Sequence, residues 1–137
     1  MSDIKDFPKT EQTQKPEAMT PVDVAEKVST GKFKLASPLE DGDQRYEELT
    51  YDFNSLTGWE LAKAMDEGGK KSGNPTEITD TQALSLFAAA AAKRTGGLDA
   101  TDIRDRMGAL DAIAAISTAK IFFRGTLLAG SLRITKE

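Results

Sequence analysis

Ala112-Ile-Ala-Ala-Ile-Ser-Thr-Ala-Lys-Ile-Phe-Phe-Arg-Gly-Thr-Leu-Leu128 reads as one helix that is apolar almost all the way round. At about 100° per residue, Leu110, Ala114, Ile121 and Leu128 fall on one line. Ile113, Ile116, Phe123 and Leu127 fill the adjacent arc, and Phe122 points to the far side, near Asp111 and Thr118. Asp111, Lys120 and Arg124 are the only formal charges between Leu110 and Ala129. A surface helix of a small monomer carries a polar face; this one barely does. It is therefore expected to be central in its bundle or covered by another chain. Phe123 is assigned to the chain's own core. A partner-binding face is expected at Phe122, Ile121, Leu128 and Ile116.

Outward from that helix, the chain alternates short periodic segments with clear stop signals. Thr20-Pro-Val-Asp23 opens a short helix with the elements of a capping box, stopped at Gly31. Lys32–Leu35 and Arg45–Phe53 alternate as half-buried strands, with Leu49, Tyr51 and Phe53 on one face. Pro38 and Asp41-Gly-Asp43 lie between them, so the pair reads as a β-hairpin with a loop longer than two residues. Thr57-Gly-Trp-Glu60 caps a helix running to about Glu67, with Trp59 read as a core anchor. Residues 68–75 form a Gly/Lys-rich loop that lacks the sequence of a phosphate-binding loop. Thr79-Asp-Thr-Gln82 caps an alanine-rich helix with Leu84, Phe87, Ala88 and Ala91 on one face, ended by Gly96-Gly97. A short helix or turn follows over Asp99–Met107, and Gly108 separates it from the long last helix.

The expected fold class is therefore α+β: a mostly helical small domain with an N-terminal β-hairpin packed on three or four helices. Residues 1–19 are polar, with too little apolar content to offset ordering, and read as a flexible tail. Residues 20–130 form the single domain, and 131–137 a polar C-terminal tail.

The 137 residues carry a net charge of −4 and contain neither cysteine nor histidine. Disulfides, thiolate chemistry, Cys/His zinc sites and imidazole-based triads are excluded. No run of Lys and Arg exceeds Lys70-Lys71, so nucleic acid is not an expected partner. Nor is a membrane: Lys120 and Arg124 interrupt the apolar helix, and the first residues lack the apolar core of a signal peptide. A cytoplasmic location is expected. Asp99, Asp102 and Asp105, interleaved with Arg104 and Arg106, read as a solvated, ion-paired helix face and not as a metal cluster. Asp41 and Asp43 begin like a calcium loop, but Asp52 stands in a strand where the closing ligand belongs. No catalytic constellation emerges; no enzyme activity, cofactor or metal is expected.

The segment Leu35-Ala-Ser-Pro-Leu-Glu-Asp-Gly-Asp-Gln-Arg-Tyr-Glu-Glu-Leu-Thr-Tyr-Asp-Phe53, followed by Leu56-Thr-Gly-Trp-Glu-Leu61, resembles the small tail assembly chaperones of long-tailed phages and prophages. So do the helix Ala88-Ala-Ala-Ala-Ala-Lys-Arg-Thr-Gly96 and the closing helix with Phe123 and Leu127-Leu128. The resemblance spans residues 32–129. It departs at Gly108, where the family more often has a proline-containing turn, and at Arg124-Gly125, where it is more apolar. The resemblance implies a non-enzymatic factor that binds the tape measure protein, helps recruit the tail tube protein, and is missing from the finished particle. A structural tail or capsid component that stays in the virion is the competing reading. Self-association is expected on either.

Overall fold

The computed structural model describes residues 20–71, 73–74 and 77–131, and only the backbone of Pro21, Val22 and residues 129–131. The tails expected at 1–19 and 132–137 lie outside the described residues. Within them the order is α1 (Pro21–Lys27), β1 (Thr30–Asp41), β2 (Gln44–Asp52), a 3-10 turn (Phe53–Ser55), α2 (Gly58–Glu67), α3 (Asp80–Thr95), α4 (Ala100–Arg106) and α5 (Ala109–Ser131). This is the expected small α+β domain, with one helix ahead of the hairpin and four behind it.

Local chemistry starts most of the helices. Thr20 with Asp23, Thr57 with Glu60 and Thr79 with Gln82 form reciprocal capping boxes, and Asp99 accepts from the Asp102 amide. Each box satisfies one first-turn amide and the cap's own amide, which the helix itself leaves without partners. One expected boundary moves: α1 stops at Val28, and Gly31 belongs to β1 opposite Tyr51. The hairpin claims the chain early, because the Phe53 amide donates to the Ser29 carbonyl at 2.8 Å.

The hairpin turn is tighter than expected. Asp41 pairs with Gln44, which leaves only Gly42-Asp43 in the loop. Gly42 has φ +64°, the conformation a two-residue hairpin needs at its first central position. Pro38 does not turn the chain. It lies inside β1, in a stretch where the register shifts between Lys34 and Leu39. A proline has no N–H for the ladder, and an irregularity of this kind is where a strand tolerates one. The amides of Ala36 and Ser37 in that stretch turn to Asp111 of α5, at 2.7 and 3.1 Å.

The expected inner face of β2 is the core face: Leu49, Tyr51 and Phe53 are all buried. They lie on α3, where Phe87 takes Phe33, Tyr51 and Phe53 around it at ring-centroid distances of 4.9, 5.1 and 6.2 Å. The outer edge of β2 is closed by Thr95, whose hydroxyl accepts from the Thr50 amide and donates to the Thr50 carbonyl, both at 3.0 Å. Edge groups that would recruit a foreign strand are thus partly occupied.

The central element is α3. It packs on β2, α2, α4 and α5, and eight of its residues are buried, among them Ala83, Leu86, Phe87, Ala88, Ala90 and Ala91. Small side chains let neighbouring backbones come close. The end of α2 uses the same device: a Cβ on Gly68 would stand 2.4 Å from Cα of Gln82. Of the two alternatives for the helix of residues 112–128, a central place or a covered surface, the central place is taken by α3. α5 lies at the side of the bundle, between α1 and α3, with one face open. Among the described residues no buried side-chain N or O lacks a hydrogen-bond partner.

Candidate apolar surface of the last helix

Two features fix how α5 is rolled. Near its start, Asp111 is buried and its carboxylate holds the Ala36 and Ser37 amides of β1. Further along, Phe122 stacks on Phe53 with centroids 4.4 Å apart and ring planes 13° from parallel. Asp111, Ala115, Ala119 and Phe122 are all buried, at spacings of four, four and three, so they form the inward stripe.

That stripe reverses part of the sequence-based assignment. Phe122, expected at a partner surface, is 9% exposed and belongs to the core. Phe123, expected in the core, is half-buried and packs against that core. Ile116, also expected at the partner surface, is half-buried against the chain's own core. The physical reason is Asp111. Its two backbone partners draw the side carrying it inward, and Phe122 lies three turns further along that same side. Ile121 and Leu128, the other two expected surface residues, do face solvent at 39% and 43% exposure.

With them on the outer face stand Leu110 and Ile113, exposed at 75% and 66%. Ala114 and Ser117 are also exposed and lie between them. The line Leu110, Ala114, Ile121, Leu128 read from the sequence is thus an open apolar stripe along α5, with Ile113 beside it. Trp59 is the other large apolar residue left in water, 78% exposed rather than anchored in the core. The inward side of α2 is Leu61, Ala64, Met65 and Gly68; Trp59 lies nearly opposite it on the helical wheel.

A separate apolar groove of 520 Å³ opens between the start of α2 and the C-terminal half of α5. Phe53, Leu56, Leu61, Phe122, Phe123 and Leu127 line it. Lys120, on the flank of α5 beside it, is paired with Asp80 of α3. Across α2, Lys93 donates to the Ser55 carbonyl and to Glu60, each at 2.6 Å. The Lys93 hydrogen bond, helped by the Thr57 amide, holds the Glu60 carboxyl below its ordinary range.

These groups tie elements of the fold together. Asp99 caps α4, while Asp102 pairs with Arg106 and Asp105 with Arg104, at 3.8 and 3.5 Å. Asp52 accepts from the Asn54 amide at 2.9 Å and caps the 3-10 turn. Among the described residues no cluster of three or more carboxylates is placed to hold a metal. No helix among them is long and apolar enough to cross a membrane. What this surface can do chemically is bury apolar area against another molecule. Compared with known protein families, curated proteins and solved structures, the chain matches none.

Proposed function

We propose that this chain is a non-enzymatic, protein-binding assembly factor that uses the outer face of α5 to cover an apolar helix of its partner. The observation that supports this reading most is the stripe of Leu110, Ile113, Ile121 and Leu128, left in water on a helix whose opposite side is already packed. Burial of apolar area yields about 25 cal/mol per Å², so such a stripe is a binding resource that a monomer leaves unused. The sequence resemblance to tail assembly chaperones gives this reading its concrete form. The partner is then a long amphipathic tape measure protein of a phage or prophage, kept soluble in the host cytoplasm while tail tube subunits gather. Without its partner the chain self-associates through the same stripe.

The test is co-expression with the product of the neighbouring gene, which this reading expects to be a long helical protein. The partner should stay soluble with the wild-type chain and precipitate with an Ile113→Asp/Ile121→Asp variant. That variant should keep a wild-type thermal melt and lose self-association in light scattering. A partner equally soluble with wild type, with the variant and with neither defeats the proposal. Mass spectrometry of finished particles separates the competing reading: a chaperone is missing from them, whereas a structural tail or capsid component is found.

A further inference from the structure

The groove between α2 and α5 lies on a different arc of α5 from the exposed stripe, so what fills it is independent of the function proposed above. We propose that the N-terminal segment of this same chain seats there, with Ile4 and Phe7 as its two apolar anchors. Six apolar side chains, three of them phenylalanines, line 520 Å³ of open groove. Such a volume lies within the range of about 300–1,000 Å³ usual for ligand pockets.

The point where the described chain begins puts this segment within reach. Thr20 caps α1, and α1 packs on α5. The far end of α1 is bonded to the groove wall, because the Ser29 carbonyl accepts from the Phe53 amide at 2.8 Å and the Ser29 hydroxyl from Asn54 Nδ2 at 3.1 Å. Twelve residues separate Phe7 from Thr20. Extended, they span about 40 Å, whereas the seven residues of α1 cover about 10 Å. The whole groove is therefore accessible from the start of α1.

Composition and charge select the anchors. The large apolar residues of 1–19 are Met1, Ile4, Phe7 and Met19. Ile4 and Phe7 are three apart, a spacing that puts both on one side of a helical turn. Asp3 and Asp6 each directly precede an anchor. Arg124, three residues from Leu127, is exposed and lines a neighbouring pocket with Glu77, Ile78, Lys120 and Phe123, and Phe123 also lines the groove. Lys120 is already paired with Asp80, while Arg124 has no ion pair among the described residues. A carboxylate arriving with Ile4 or Phe7 gives that guanidinium a partner. A tethered segment also meets its groove at an effective concentration of the order of mM, so two anchors suffice for a reversible contact.

The chain has no cysteine, so Ser2→Cys takes a single nitroxide label. In the labelled full-length chain, the leucine methyl signals of Leu56, Leu61 and Leu127 should be lost by paramagnetic broadening. Those of Leu110, about 25 Å from Leu127 along α5, should persist. Adding Ile4→Ser and Phe7→Ser to the labelled chain should restore the groove signals. Broadening that is absent, that is equal at Leu110, or that survives the double substitution overturns the proposal. So does groove broadening in an isotope-labelled chain mixed with a separately spin-labelled one, since the occupant is then a second copy.

Discussion

The helices α3 and α5 differ in a direction opposite to their hydrophobicity. α5 carries the larger apolar side chains, yet leaves Leu110, Ile113, Ile121 and Leu128 in water. α3 is built largely of alanine between Phe87 and Lys93, yet it is buried nearly all round. Total apolarity therefore does not decide which helix sits at the centre; close approach does. Alanine loses no side-chain entropy on burial and keeps neighbouring backbones near. Leucine and isoleucine widen the spacing, and a small domain has room for only one such layer.

The sharpest way to break this comparison is to truncate one large residue on each helix. Phe87→Ala should cost about 3–5 kcal/mol in urea unfolding, because its ring is fully buried among three others. Ile113→Ala should stay within about 0.5 kcal/mol of wild type. Similar losses at the two sites mean that the outer face of α5 is already covered.

The two helices are also held by different means, and Asp111 measures that. Asp111→Ala removes a charged acceptor from the Ala36 and Ser37 amides, at 2.7 and 3.1 Å. A loss of about 1.5–3 kcal/mol is expected, the scale of hydrogen bonds to an ionised group. Amide hydrogen exchange should quicken at Ala36 and Ser37. Unchanged exchange there means that packing alone sets the roll of α5.

One substitution made twice probes spacing directly. Ala90→Leu should destabilise by about 1–3 kcal/mol through overpacking, since Ala90 is fully buried. Ala114→Leu, on the open face, should change stability by less than about 0.5 kcal/mol and strengthen self-association. If Ala90→Leu is neutral, α3 has slack and its small residues are not what brings its neighbours close.

The smallest expected effect concerns the tie between α2 and α3. Glu60 titrates below its ordinary value because Lys93 hydrogen-bonds the ionised form, with the Thr57 amide adding to it. The unfolded chain takes up that proton first as pH falls. The contribution is therefore present above the ordinary carboxylate range and disappears as pH drops through the lower folded value. Lys93→Met should move the Glu60 titration, followed by carboxyl NMR, back up toward the ordinary range. No movement means that the Thr57 amide alone sets it.

What the sequence made legible was what lies within a few residues. The caps at Thr20, Thr57 and Thr79 are local hydrogen bonds, and all three form as read; Asp99 caps α4 by the same local means. The alternation of Leu49, Tyr51 and Phe53 fixed the inner face of the hairpin because one strand has only two faces. The roll of α5 was not legible. Its apolar pattern is nearly uniform, so periodicity names no inner side, and the residue that selects it acts on a strand 75 positions away. Trp59 is exposed and not the expected core anchor because it lies opposite Leu61 and Ala64 on α2. The groove has a weak trace in the sequence: Leu56 and Leu127 belong to segments read for their local helices, and only tertiary packing brings them together.

The bond between Asp111 and β1 also sets an order of events at the ribosome. Ala36 and Asp111 are 75 residues apart, so at about 5–20 residues per second the strand emerges about 4–15 s before its anchor is made. α1 waits longer still for α5, on which it packs. Until α3 is complete at Thr95 the nascent hairpin lacks the helix that buries Leu49 and Tyr51, and until Asp111 follows it lacks the carboxylate that settles its irregular stretch. A chain released before α3 would present an apolar strand face with nothing to close it.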